Sequence, residues 1–166
     1  EFLQSGYLTQ PLESLLELGL NHEQQHQELL LTDIKYILGH NPLFPAYKKE
    51  KNSKKETAGN SEMISFSEGI YEIGFKGEGF CFDNELGRHK VYLNDFKISS
   101  QLVSNKEYVE FMEAGGYEDF RHWHAEGWDW VKQNSVKSPL YWHFIDGKWM
   151  NYTLNGLQEI DLEEAV

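Results

Sequence analysis

Residues 15–39 read "LLELGLNHEQQHQELLLTDIKYILG", the most leucine-rich stretch of the chain. Across it and just before it, apolar residues recur at Leu12, Leu15, Leu16, Leu18, Leu29, Leu30, Ile34, Ile37 and Leu38. Spacings of three and four residues are those of an amphipathic helix. Pro11 suits a first helical turn, where its missing N–H costs nothing, and Gly39 and Pro42 stop the pattern. Gly19 is a tolerated weak point. At 1.5 Å per residue, roughly 28 residues reach about 42 Å, a length that suits a helical bundle.

Two histidines, His22 and His26, interrupt the leucines one turn apart. Stepping along their face gives Leu15, Leu18, His22, His26, Leu29 and Leu30, so the pair is expected to point into the bundle. A lone inward histidine is usually a hydrogen-bonded core residue. Two at i, i+4 leave several ring nitrogens to satisfy among apolar side chains. Metal binding solves that problem, because neutral imidazole gives one nitrogen to the cation and its other N–H to a nearby acceptor. Both readings, metal ligands and structural histidines, stand at this point.

Composition bounds the partners. The 166 residues are 40% hydrophobic and 14% aromatic, enough for one ordinary domain or two small pieces. Fifteen Lys and Arg against 27 Asp and Glu give a net charge of −12, which repels polyanions, so neither nucleic acid nor an anionic membrane is an expected partner. Cys81 is a single cysteine and forms no internal disulfide, and no signal-like or spanning apolar run occurs, so a cytoplasmic location is expected. The sequence opens at Glu1 without a methionine and stops after "DLEEAV", and is expected to be an excerpt of a longer protein.

Beyond the helix, the stretch between His40 and Met63 loses its apolar pattern and carries five lysines between Lys48 and Lys55, as a solvated linker does. From Ile64 the pattern is that of short strands. Tyr71, Ile73 and Phe75 alternate in "IYEIGF", and "HKVYLNDFKIS" supplies a second run. "SNKEYVEFMEAGG" reads as a capped helix, with Ser104 and Glu107 at capping-box spacing, Tyr108, Phe111 and Met112 inward, and Gly115-Gly116 as the stop. The region that follows holds all five tryptophans and is expected to have little regular structure, most rings serving as core and a few lining a pocket.

"HEQQH" also fits the zinc-protease pattern H-E-x-x-H, with Glu23 as general base. The longer metzincin pattern fails, because Leu29 and Thr32 stand where glycine and histidine are needed. A zinc-dependent hydrolase is therefore the runner-up.

Taken in order, "LELGLNHEQQHQELLLTDIKYILGHNPLFPAY", the linker, "GIYEIGFKGEGFCFDNELGRHKVYLNDFKISSQLVSNKEYVEFMEAGGY" and "HAEGWDWV" resemble the ergothioneine-biosynthesis sulfoxide synthases. The resemblance implies an α+β chain. It would hold the C-terminal part of a DinB-like helical bundle over residues 1–40 and a Lys-rich linker over 41–62. The N-terminal part of a formylglycine-generating-enzyme-like (C-type-lectin-like) domain would follow over 63–166.

It further implies a non-haem iron(II) enzyme that uses O2 to join cysteine or γ-glutamylcysteine to Nα-trimethylhistidine (hercynine) as a sulfoxide. By the same resemblance His22 and His26 are two of three histidine ligands to Fe(II) and Gln25 faces the histidine-derived substrate; Glu28, near the next turn, is either a support to the ligands or a solvated glutamate. Three imidazoles on one side of an octahedral ion leave positions open for substrates, which a closed structural site does not.

The sequence departs from the family in three ways. No histidine precedes His22, so the third ligand is absent; Gly87 stands where the family commonly has proline; and the domain's later half is missing. The remaining histidines, His40, His89, His122, His124 and His143, have no spacing that nominates a replacement. Alone, the stretch is expected to be inactive and to self-associate through its leucine face. The alternatives are an ovothiol-type sulfoxide synthase, disfavoured by Gln24 and Gln25, and a noncatalytic binding module. Formylglycine generation itself is disfavoured because Cys81 is alone and early.

Overall fold

A computed structural model describes residues 9–48 and 61–166. Helix α1 spans Gln10–Gly39, 30 residues. The Thr9 carbonyl accepts from the amides of Leu12 and Glu13 at its start, and Pro11 lies in the first turn as expected. Gly19 does not break it. At the far end the His40 amide donates to the Tyr36 carbonyl, the Leu43 amide donates to Asn41 Oδ1 at 2.9 Å, and Phe44 takes a φ of 45°, which turns the chain out of the helix.

The chain divides into two compact units. Among the described residues, the first comprises 9–33 with 64–98, the second 34–48 and 61–63 with 99–166. In the first unit, β2 (Gly69–Ile73) pairs antiparallel with β3 (His89–Leu93), from Gly69 opposite Leu93 to Ile73 opposite His89. The Arg88 guanidinium closes this ribbon, donating to Glu72 Oε2 at 3.0 and 2.8 Å and to the Gly74 carbonyl at 2.8 Å. Gly74 has a φ of 115°, and a Cβ there would fall 2.8 Å from the Arg88 Cα, so both backbone angle and space demand glycine.

Strand β1 (Met63–Phe66) pairs with β4 (Phe96–Ser99), and Phe66 stacks on Phe96 with ring centroids 4.8 Å apart. The run expected as one strand over 89–99 is thus two, broken at Asn94-Asp95, where turn-forming residues interrupt the alternation. Gly87 has a φ of 78°, which proline's ring, locked near −65°, does not reach.

In the second unit, α2 (Asn105–Glu113) begins with both halves of the expected capping box. Ser104 Oγ accepts from the Glu107 amide, and Glu107 Oε2 accepts from the Ser104 amide. The next two orphan donors find distant partners, Asn105 N–H on the Glu164 carbonyl and Lys106 N–H on the Leu162 carbonyl. The tryptophan-rich region is more regular than its sequence reading. It holds α3 (Ala125–Asn134) and an antiparallel meander of β5 (Trp142–Ile145), β6 (Lys148–Thr153) and β7 (Gly156–Glu159). Its first turn is Asp146-Gly147, both with positive φ, as a tight hairpin of the primed type requires.

The core is small and lies here: Val131, Trp142 and Tyr152 are 2%, 6% and 0% exposed. Tyr152 also donates its hydroxyl to the Pro45 carbonyl at 2.7 Å, and the amides of Tyr47 and Lys48 donate to the Leu154 carbonyl. The beginning of the expected linker is therefore held against the meander. The lysines at 49, 51, 54 and 55 lie outside the described residues.

Candidate functional site

On α1, His22 and His26 project side by side, ring centroids 4.5 Å apart and planes nearly perpendicular. The helix explains this, since residues four apart stand one above the other on one face. Both are exposed, as are Glu23, Gln25 and Glu28. Their leucine neighbours are exposed too, Leu18 by 44%, Leu29 by 58% and Leu30 by 60%. The inward, bundle-facing pair expected from periodicity is thus an outward-facing pair. An apolar stripe is buried only by another element lying on it, and among the described residues α1 is the only helix of bundle length.

Exposure changes what the pair does. Neither imidazole needs a metal to compensate for burial, and both keep ring nitrogens accessible to a cation. Two neutral imidazoles suit one edge of a site for a first-row divalent ion. No group of three His, Cys, Asp or Glu able to hold a metal occurs among the described residues. The donor chemistry fits iron or zinc in kind, and among the described residues it supplies two imidazoles.

Three of the other histidines make local contacts. His40 Nδ1 donates to the Tyr36 carbonyl at 2.7 Å, and His89 Nδ1 to the Gly87 carbonyl at 2.9 Å. His122 Nε2 lies 3.8 Å from Asp119 Oδ2. Asp119 is held well below the usual carboxylate range, first by the Arg121 side chain and then by the Arg121 amide.

The second unit contains a groove of about 740 Å³ whose walls include Met112, Tyr117, Trp128, Val131, Phe144 and Trp149. Tryptophans lining a pocket were expected; which ones is settled by α3 and β6, which supply Trp128 and Trp149. Lys132 lies over the Trp128 ring at 5.1 Å. Desolvation pushes the Tyr117 hydroxyl well above the usual phenol range, helped by its 2.9 Å hydrogen bond with Tyr108. That phenol stays protonated at neutral pH.

No helix among the described residues is long and apolar enough to cross a membrane. Residues 48–143 match the sulfatase-modifying factor enzyme 1-like domain. The chain is also similar to three hercynine oxygenases. That of Mycolicibacterium smegmatis is 28% identical over 126 residues, 76% of this chain and 29% of the relative. That of Mycolicibacterium thermoresistibile is 27% identical over 124 residues, 75% and 28% of the two lengths. For Mycobacterium tuberculosis the values are 28% over 123 residues, 74% and 29%. The chain thus spans less than a third of the length of these relatives.

Proposed function

The chain belongs to the sulfatase-modifying factor enzyme 1-like family, and from that premise we propose that it serves an iron(II)- and O2-dependent sulfoxide synthase acting on hercynine. The observation that carries the reading is one juxtaposition in sequence. A helix presenting His22 and His26 with rings 4.5 Å apart precedes a domain of this family, in a chain similar to hercynine oxygenases.

In this reading α1 comes from a DinB-like bundle, and His22 and His26 hold the iron with a third donor outside the described residues. The metal supplies O2 activation when bound. The chain's own contribution is to fix two imidazoles at helical spacing on a rigid element, and to set Gln25, less than a turn away, beside the imidazole of trimethylhistidine. The thiol partner is cysteine or γ-glutamylcysteine.

The test supplies the full-length protein that contains this chain with iron(II), hercynine, thiol and O2, and measures both bound iron and C–S-linked sulfoxide. His22→Ala and His26→Ala are each expected to lower iron affinity by at least about 100-fold, beyond what loss of an outer-shell contact costs, and to remove product. Wild-type iron content in either variant overturns the assignment. Glu23→Gln separates the hydrolytic alternative, which needs that carboxylate as base, from this reading, in which product formation continues.

A further inference from the structure

One side chain of the meander is wholly enclosed, that of Tyr152. Its hydroxyl donates to the Pro45 carbonyl at 2.7 Å, and a Cβ on Gly39 would fall 2.9 Å from its Cδ1. The Phe44 ring lies 6.1 Å from the Tyr152 ring and 4.8 Å from that of His143. Farther along, the amides of Tyr47 and Lys48 both donate to the Leu154 carbonyl. From α1 itself, Lys35 Nζ stands 4.5 Å from the centre of the Tyr141 ring, and the Tyr141 carbonyl accepts from the Tyr152 amide. Residues 34–48 thus belong to the same compact unit as the meander. In sequence, residues 40–48 open a linker; in the structure they close over Tyr152.

Two backbone conformations show that this contact is held rather than incidental. Phe44 has a φ of 45° and Tyr141 a φ of 74°, in the left-handed region that bulky side chains disfavour. Such strain persists only where the surrounding packing over-determines it. Both residues reach the same ring, that of Tyr152. A solvated connector relaxes out of such angles, whereas a segment fastened to Tyr152 does not.

We infer that residues 39–48 are a clasp fastening the C-terminal end of α1 to the meander, and that Tyr152, through this clasp, is a positioning residue for the histidine pair on the same helix. The inference rests on reading His22 and His26 as iron ligands, and names what holds their helix still. Because α1 is one continuous helix, His26 stands about 20 Å from Gly39 along its axis. A tilt of about 3° at Gly39 moves that imidazole by about 1 Å, and a misplacement of this size costs about 100-fold in rate.

The full-length protein that contains this chain, supplied with iron(II), tests this through Tyr152→Phe, which keeps the ring and removes the bond to Pro45. In hydrogen exchange, the Tyr47 and Lys48 amides are expected to exchange at least about threefold faster than in the wild type, as the loss of one hydrogen bond allows. Bound iron should be unchanged, because both imidazoles remain, while turnover at saturating hercynine falls at least about tenfold. Phe44→Asn, which tolerates the left-handed angle and removes the ring, should act in the same direction. Trp142→Phe, a core substitution in β5 outside the clasp, should lower the melting temperature and keep turnover. Unchanged exchange at Tyr47 and Lys48 in both clasp variants overturns the clasp. Faster exchange with wild-type turnover overturns the positioning role, as does an equal loss of turnover in Trp142→Phe. Absence of iron from the wild-type protein removes the iron reading and the positioning role together, and leaves exchange to decide the clasp.

Discussion

His22 and His26 on α1 and His143 on β5 place the same side chain in opposite settings. The pair stands in solvent, rings facing each other at 4.5 Å. His143 packs its ring against Phe44 at 4.8 Å, and its Nε2 is buried with no hydrogen-bond partner among the described residues. A ring nitrogen enclosed by apolar neighbours loses its water and meets no cation, so the energetic weight of His143 lies in packing. The exposed pair contributes little to packing and keeps its lone pairs available. Exposed donor groups and buried packing thus reside in different parts of this chain, and substitutions should separate them.

The largest effect is expected in the meander. Trp142→Ala removes a buried indole and should lower stability by about 3–5 kcal/mol, whereas Leu29→Ala on the exposed face should stay within about 0.5 kcal/mol. Denaturant unfolding of both variants checks this; equal losses would break the contrast. A mid-sized effect is expected at Gly39, the one buried residue of α1. A Cβ there would lie 2.9 Å from Tyr152 Cδ1 and 3.0 Å from Tyr141 Cδ1, so Gly39→Ala should cost about 1–3 kcal/mol. Thermal melts would show whether the helix end is as tightly packed as the meander or as free as the histidine face.

The smallest effect is a pH dependence. The folded Asp119 carboxyl titrates below its ordinary range because of Arg121. Its stabilisation is therefore complete above the unfolded value of about 4 and is lost as pH falls from there toward the folded value. Asp119→Asn should flatten the difference in melting temperature between pH 7 and pH 3. An unchanged acid slope would show that the Arg121 pairing contributes nothing to folding.

Much of this was legible in the chain itself. Helix α1 announces itself through leucine spacing and its Gly39 stop, and α2 through Ser104 and Glu107, because both signals are local. The meander was missed because aromatic and other apolar residues occupy both faces of β5 and β6, which erases the alternation that marks a half-buried strand. Asp146-Gly147 did carry a hairpin signal. For the site, spacing alone placed His22 and His26 on one face, but not whether that face is covered. Coverage depends on what lies across from the stripe, and no property of the stripe encodes it.

The start of α2 carries a consequence for the order of folding. Its Asn105 and Lys106 amides donate to Glu164 and Leu162, and the Asn105 side chain donates to the Asp161 carbonyl, across a sequence separation of 56 residues. The Tyr108 amide, by contrast, donates to Ser104 within one turn. Closing a long loop costs entropy that local turns avoid, so distant contacts form later. During refolding in a pulse-labelled deuterium-exchange experiment, Tyr108 should become protected with the nascent helix, and Asn105 and Lys106 only when residues 161–164 arrive. The first turn of this helix would then be among the last parts of the unit to close.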